Sequence, residues 1–136
     1  MPVTMQDNMK TILFTTLLLF SVNGFAFNWT KITETSGETF YIDVNNMKKR
    51  NGLVYVWVLA DQDEPSQFNQ GNAYSFITKQ KVDCEEETTT VLSATFHGRP
   101  MGNGRIVYEY NPNKVTYERP NTAGYTLMKF ACRYAE

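Results

Sequence analysis

The sequence predicts an α+β fold: a twisted antiparallel sheet of about six strands with one C-terminal helix packed on it. Most of the chain is a succession of short segments rich in Val, Thr, Tyr and Phe. They alternate in polarity and are separated by turns containing Gly, Pro or Asn. The period changes only at the end, where TAGYTLMKFACRYAE spaces its apolar residues along one face of a helix.

Residues 1–26 read as a secretory signal peptide. Lys10 precedes an apolar run from Ile12 to Phe20, and Gly24 and Ala26 are the small residues expected before a cut between Ala26 and Phe27. A membrane span needs roughly 20 apolar residues, and this run is interrupted after about ten. Met9 is the more natural start of such a leader, since Met1 to Asn8 are polar.

Residues 27–136 then form a single domain at the small end of the usual range. The net charge is −1, with 13 Lys+Arg interspersed among 14 Asp+Glu and no basic stripe, which argues against a nucleic-acid partner. No second long apolar segment follows, so the mature chain is expected to be exported without a transmembrane span, periplasmic or at the cell surface. No cysteine lies near Ala26, which argues against a lipid anchor on the mature N-terminus.

Along the domain, a first strand falls around FNWTKITE, residues 27–34, without a clear beginning. Residues 39–44 alternate, with Phe40, Ile42 and Val44 on one face and Tyr41 and Asp43 on the other. Residues 45–52 read as a turn region marked by Asn51-Gly52. LVYVWVLAD, residues 53–61, is apolar on both faces and is expected to be a central strand covered on both sides.

Residues 62–72, with Pro65 and Gly71 in a polar setting, are the most loop-like stretch. Residues 73–84 alternate again, placing Tyr74, Phe76, Thr78, Gln80, Val82 and Cys84 on one face. A strand over 88–96 leads to the Gly- and Pro-dense connection 97–104, then strands over 105–110 and 114–119 about an Asn-Pro-Asn turn. The terminal helix carries Gly124, Leu127, Met128, Ala131 and Cys132 on one face, with Asn121 or Thr122 as its N-cap. A helix of about a dozen residues is marginal alone and needs tertiary packing.

The only cysteines are Cys84 and Cys132, both in the mature part. In an oxidising compartment such a pair forms a disulfide, within the chain or between two chains. An intrachain bond would tie the helix to the sheet.

Catalytic and metal chemistry find little support. Alternation along a strand points Glu86 away from Glu85 and Glu87, so the run after Cys84 cannot converge on a metal and reads as a solvated acidic edge. His97 is the only histidine, and a whole strand separates it from Cys84. No G-x-S-x-G, H-E-x-x-H or P-loop is present, so neither catalytic residues nor a cofactor are assigned.

Binding candidates lie in the connections: Arg99 and Met101 between Gly98 and Gly102, and Phe68, an aromatic in a polar setting that is either tucked on the core or offered to a partner. Tyr41, Tyr108, Tyr110 and Tyr117 are candidate interface anchors on the less apolar sheet face, unless the helix covers it.

The order of these features resembles the surface-adhesin protein E family of Gram-negative bacteria. The residues that carry the likeness are Tyr41-Ile42-Asp43, Trp57, Asp83-Cys84, the Gly102–Gly104 turn before a strand, and Cys132 on a final helix. The resemblance implies a six-stranded antiparallel sheet with a C-terminal helix, a Cys84–Cys132 disulfide and dimerisation. It also implies a non-enzymatic surface protein with protein partners of the matrix or serum, such as vitronectin or laminin. The alternative reading is a periplasmic envelope factor or a small inhibitor of a secreted hydrolase.

Overall fold

The computed structural model describes residues 26–135. The expected leader, apart from Ala26, lies outside the described residues. The strands are β1 (Trp29–Thr35), β2 (Glu38–Asp43), β3 (Lys48–Arg50), β4 (Leu53–Phe68), β5 (Gly71–Asp83), β6 (Thr88–His97), β7 (Ile106–Tyr110) and β8 (Lys114–Tyr117). One helix, α1 (Ala123–Tyr134), follows them. The fold is α+β, and the strands form one antiparallel sheet in the order β1-β2-β4-β5-β6-β7.

That six-strand path is the expected sheet, and two short strands extend it. β3 pairs with the start of β4, beside the stretch that β2 occupies, and β8 pairs with the start of β6, beside the stretch that β7 occupies. The turn region expected over 45–52 is therefore part strand. Asn51 and Gly52 turn the chain from β3 into β4, with φ of 51° and 78°. Positive φ at both positions is what a tight hairpin of this hand requires.

Residues 62–72 are not a loop. They continue β4 and begin β5, and only Asn69 and Gln70 turn between the pairs Phe68↔Gly71 and Gln67↔Asn72. Pro65 falls where the pairing register shifts between Asp61 and Ser66. A residue lacking an N–H costs no ladder bond in such a bulge. The polar composition marks an exposed hairpin end rather than irregular chain.

Alternation along β4 and β5 builds two cores on opposite faces. Val54, Val56 and Val58 lie opposite Val82, Gln80 and Thr78, and with Ile42 they meet Leu127, Met128 and Ala131 of α1. Burying a side chain of this size stabilises by about 1.5–3 kcal/mol. Packing therefore decides that so short a helix persists. Thr122 caps it, its hydroxyl accepting from Tyr125 N at 3.1 Å. Cys84 and Cys132 are joined, with Cα atoms 5.8 Å apart, and Lys129 pairs with Glu87 at 2.8 Å.

Leu59 and Ile77 point the other way and are buried beneath the 98–104 connection, Gly102 lying against both. Nearer the start of β4 this second face is only half covered at Tyr55 and Trp57. The expectation of a strand covered throughout on both sides thus holds for Leu59 and Ala60 but not for the residues before them.

Candidate functional site

Arg99 and Met101 sit on a cap held from below. Ser75, fully buried on β5, donates its hydroxyl to Arg99 O at 2.7 Å and accepts from Gly102 N at 2.8 Å. Asp61 Oδ1 accepts from Met101 N at 2.8 Å. Arg99 N donates to Asn103 O at 3.2 Å, and Asn103 N returns to Pro100 O at 3.2 Å. Met101 takes φ 60°, a strained value for a side-chain-bearing residue. These bonds fix the backbone while leaving the Arg99 side chain exposed.

Phe68 lies on the opposite sheet face from that cap. Its ring is 4.9 Å from Phe96 and 5.1 Å from Tyr108, and Phe96 stacks on Phe76 at 5.0 Å. Tyr110 completes the cluster, 5.4 Å from Tyr108. Phe68 is half-buried, whereas Tyr108 and Tyr110 are each 45% exposed. The structure separates the tyrosines grouped on one face in the sequence. Tyr108 and Tyr110 share the helix-bearing face, beyond the helix, while the registers place Tyr41 and Tyr117 on the other. The β-bulges between strands shift these parities, and no local pattern announces them.

No catalytic couple forms from the residues weighed for one. Cys84 is bonded to Cys132, and His97 bonds through Nε2 to the Thr95 hydroxyl at 3.0 Å. Burial pushes His97 below its usual pKa, partly offset by a backbone hydrogen bond at Gly104. Cys84 to Glu87 form a turn whose Glu85 and Glu86 N–H groups donate to Asp83 Oδ1 at 3.1 Å. Glu85 and Glu86 are exposed, while Glu87 turns back to Lys129.

A groove of about 250 Å³ escaped the sequence reading. It is lined by Asn46, Lys48, Arg50, Tyr55, Trp57 and Lys79, on the face that bears the cap but at the far end of the sheet. Tyr55 lies between Lys48 of β3 and Lys81 of β5, and Trp57 lies opposite Lys79. The Lys79 ammonium is 5.5 Å from the Trp57 ring centroid. The i, i+2 spacings Lys48/Arg50 and Lys79/Lys81 were the available signal. Reading 45–52 as a turn hid it, because only strand geometry puts such pairs on one face.

The fold is similar to that of Haemophilus influenzae protein E. One such structure superposes with a TM-score of 0.60 at 15% identity, covering 82% of this chain and 89% of that one. A second crystal form gives 0.62 at 16% identity, covering 83% and 94%. Comparison with curated protein sequences finds no match. The family model described as surface-adhesin protein E matches residues 29–133, a span that runs from β1 to the last turn of α1. With sheet order, helix and cystine all inside that match, the chain belongs to the surface-adhesin protein E family.

Proposed function

We propose that this protein is an exported, non-enzymatic adhesin-type module that binds another protein through the aromatic cluster on β6 and β7. The observation that carries the reading is the pair Tyr108 and Tyr110. Both are 45% exposed on a terminal strand of the sheet, with their rings resting on Phe96 at 6.0 and 6.3 Å. Rings already stacked in the free protein lose little freedom on docking, and tyrosines present apolar area with a hydroxyl at its edge.

Membership of a family named for surface adhesins supports the class of function, and matrix or serum proteins such as vitronectin or laminin are the partners to try first. Export would follow from residues 1–26 acting as a cleaved leader. Protease shaving of intact cells, with solid-phase binding of the purified protein to both partners, tests the reading. The double variant Tyr108→Ser/Tyr110→Ser should keep its circular dichroism and lose about tenfold or more in affinity. A protein protected from shaving, or wild-type binding equal to that of the variant, would overturn it.

A further inference from the structure

We propose that the groove between β3, β4 and β5 is a binding site for a sulfated polysaccharide, distinct from the aromatic protein-binding patch. Lys48 and Arg50 on β3, and Lys79 and Lys81 on β5, flank Tyr55 and Trp57 of β4 on the same face of the sheet. Lys48 and Arg50 are exposed, and Lys79 and Lys81 are half-buried. The ion pairs among the described residues, Lys31–Glu34 and Lys129–Glu87, engage none of these cations.

Among the described residues, two carboxylates lie at this end of the same face, Asp43 and Asp83, and neither forms an ion pair with these cations. Asp43 accepts from Asn46 Nδ2 at 2.6 Å and from Asn28 N at 3.3 Å. Asp61 holds Met101 N, and Asp83 holds the N–H groups of Glu85 and Glu86. Four cations against two carboxylates leave this end of the face with a local positive excess, in a chain whose net charge is −1. An ordered cluster of this kind selects a ligand of high negative charge density, since each cation gains a charge-assisted hydrogen bond only from an oxyanion.

The aromatic lining narrows the class. Tyr55 and Trp57 lie between the cations of β3 and β5, and Phe27, stacked on Trp29 at 4.5 Å, braces Trp57 edge-on at 5.8 Å. A sugar ring presents apolar C–H faces between its charged substituents, which matches rings set between ammonium groups. A peptide would suit the site less well. Its amides would need partners, and the β4 backbone beneath is paired with β5 on one side and with β3 or β2 on the other. Sulfate groups add to whatever carboxylates a sugar chain carries, which raises its charge per ring toward what four clustered cations can engage.

Isothermal titration of the purified mature protein with heparin, dextran and polyglutamate tests the assignment. Heparin should bind and weaken steeply as salt is raised, while dextran should not bind and polyglutamate should bind about tenfold or more weakly. Lys48→Gln/Lys79→Gln should lower heparin affinity about tenfold or more. Tyr55→Ser, which leaves every charge in place, should also lower it. Lys114→Gln on β8 should leave it unchanged. If Tyr55→Ser perturbs the thermal midpoint, Tyr55→Leu replaces it, keeping bulk but removing the aromatic face. The assignment is overturned by absence of heparin binding, by polyglutamate binding equally well, or by a heparin affinity that the Lys48/Lys79 variant leaves intact.

Discussion

The Ser75 hydroxyl and the Gly102 amide meet at 2.8 Å, joining a buried strand residue to the top of the cap that carries Arg99 and Met101. The same hydroxyl donates to Arg99 O, so one small side chain closes the cap from both ends. Ser75→Ala would leave a donor and an acceptor without partners in a site that excludes water. The expected loss is about 1–3 kcal/mol of stability, read as a lower urea midpoint. Gly102→Ala should cost at least as much. Gly102 takes φ 71°, and an added Cβ would come within 2.7 Å of Ile77 Cδ1. Two variants with wild-type midpoints would show that the cap is not held this way.

The cystine closes the chain between residues 84 and 132, a loop for which the chain-entropy model gives about 4 kcal/mol. Domains of this size have total stabilities of about 5–15 kcal/mol, so the bond is a large share. The double variant Cys84→Ser/Cys132→Ser should unfold at a much lower urea concentration. Hydrogen exchange should then show α1 losing protection before the β4–β5 pair, because the helix also depends on the packing that the bond holds in place.

Burial lowers the pKa of His97 from 6.5, so the folded chain keeps the ring neutral where the unfolded chain already takes up a proton. With more protons bound to the unfolded state, stability rises with pH between the depressed folded value and 6.5. It is lost as pH falls through that window. Glu118 has the opposite sign: burial raises its pKa from 4.5, so its contribution is lost as pH rises from 4.5 through the folded value. Thermal midpoints of wild type and His97→Gln should converge as pH falls below 6.5. Parallel curves would mean that His97 is not the titrating group.

Asp43 is fully buried, and its carboxylate holds the Asn46 side chain and the Asn28 amide. Asp43→Ala should cost about 1–3 kcal/mol by leaving these donors unpaired, with Asp43→Asn recovering part of the loss. Chemical denaturation of the three proteins decides this. Equal midpoints for Ala and Asn would argue that the charge itself is what matters.

Much of the fold was written in local pattern. The alternation in 39–44 and 73–84, the Asn51-Gly52 turn and the apolar stripe of Leu127, Met128 and Ala131 each correspond to an observed element. What failed was the assumption that polar residues with Pro and Gly mean loop. Pro65 is tolerated because a bulge opens the ladder around it, and that bulge depends on the partner strand rather than on residues 62–72 themselves.

The sites were harder to read than the strands. Phe68 was visible as an aromatic in polar company, but its neighbours Phe96 and Tyr108 lie dozens of positions away. The cationic groove needed β3 to exist before Lys48 and Arg50 could share a face with Lys79 and Lys81. Composition, with 13 Lys+Arg against 14 Asp+Glu, gave no sign that four cations gather on one face.

The helix covers one face at one end of the sheet, and the 98–104 cap covers the other face at the other end. Each face is thus left open over the half its own cover does not reach, and the two openings lie diagonally across the molecule. If both proposed sites were filled, a ligand at Tyr108 and Tyr110 would approach from the side opposite to one at Lys48 and Trp57. The two would not compete for space, and on those proposals a single copy of this small domain would act as a clamp between a protein and a polymer.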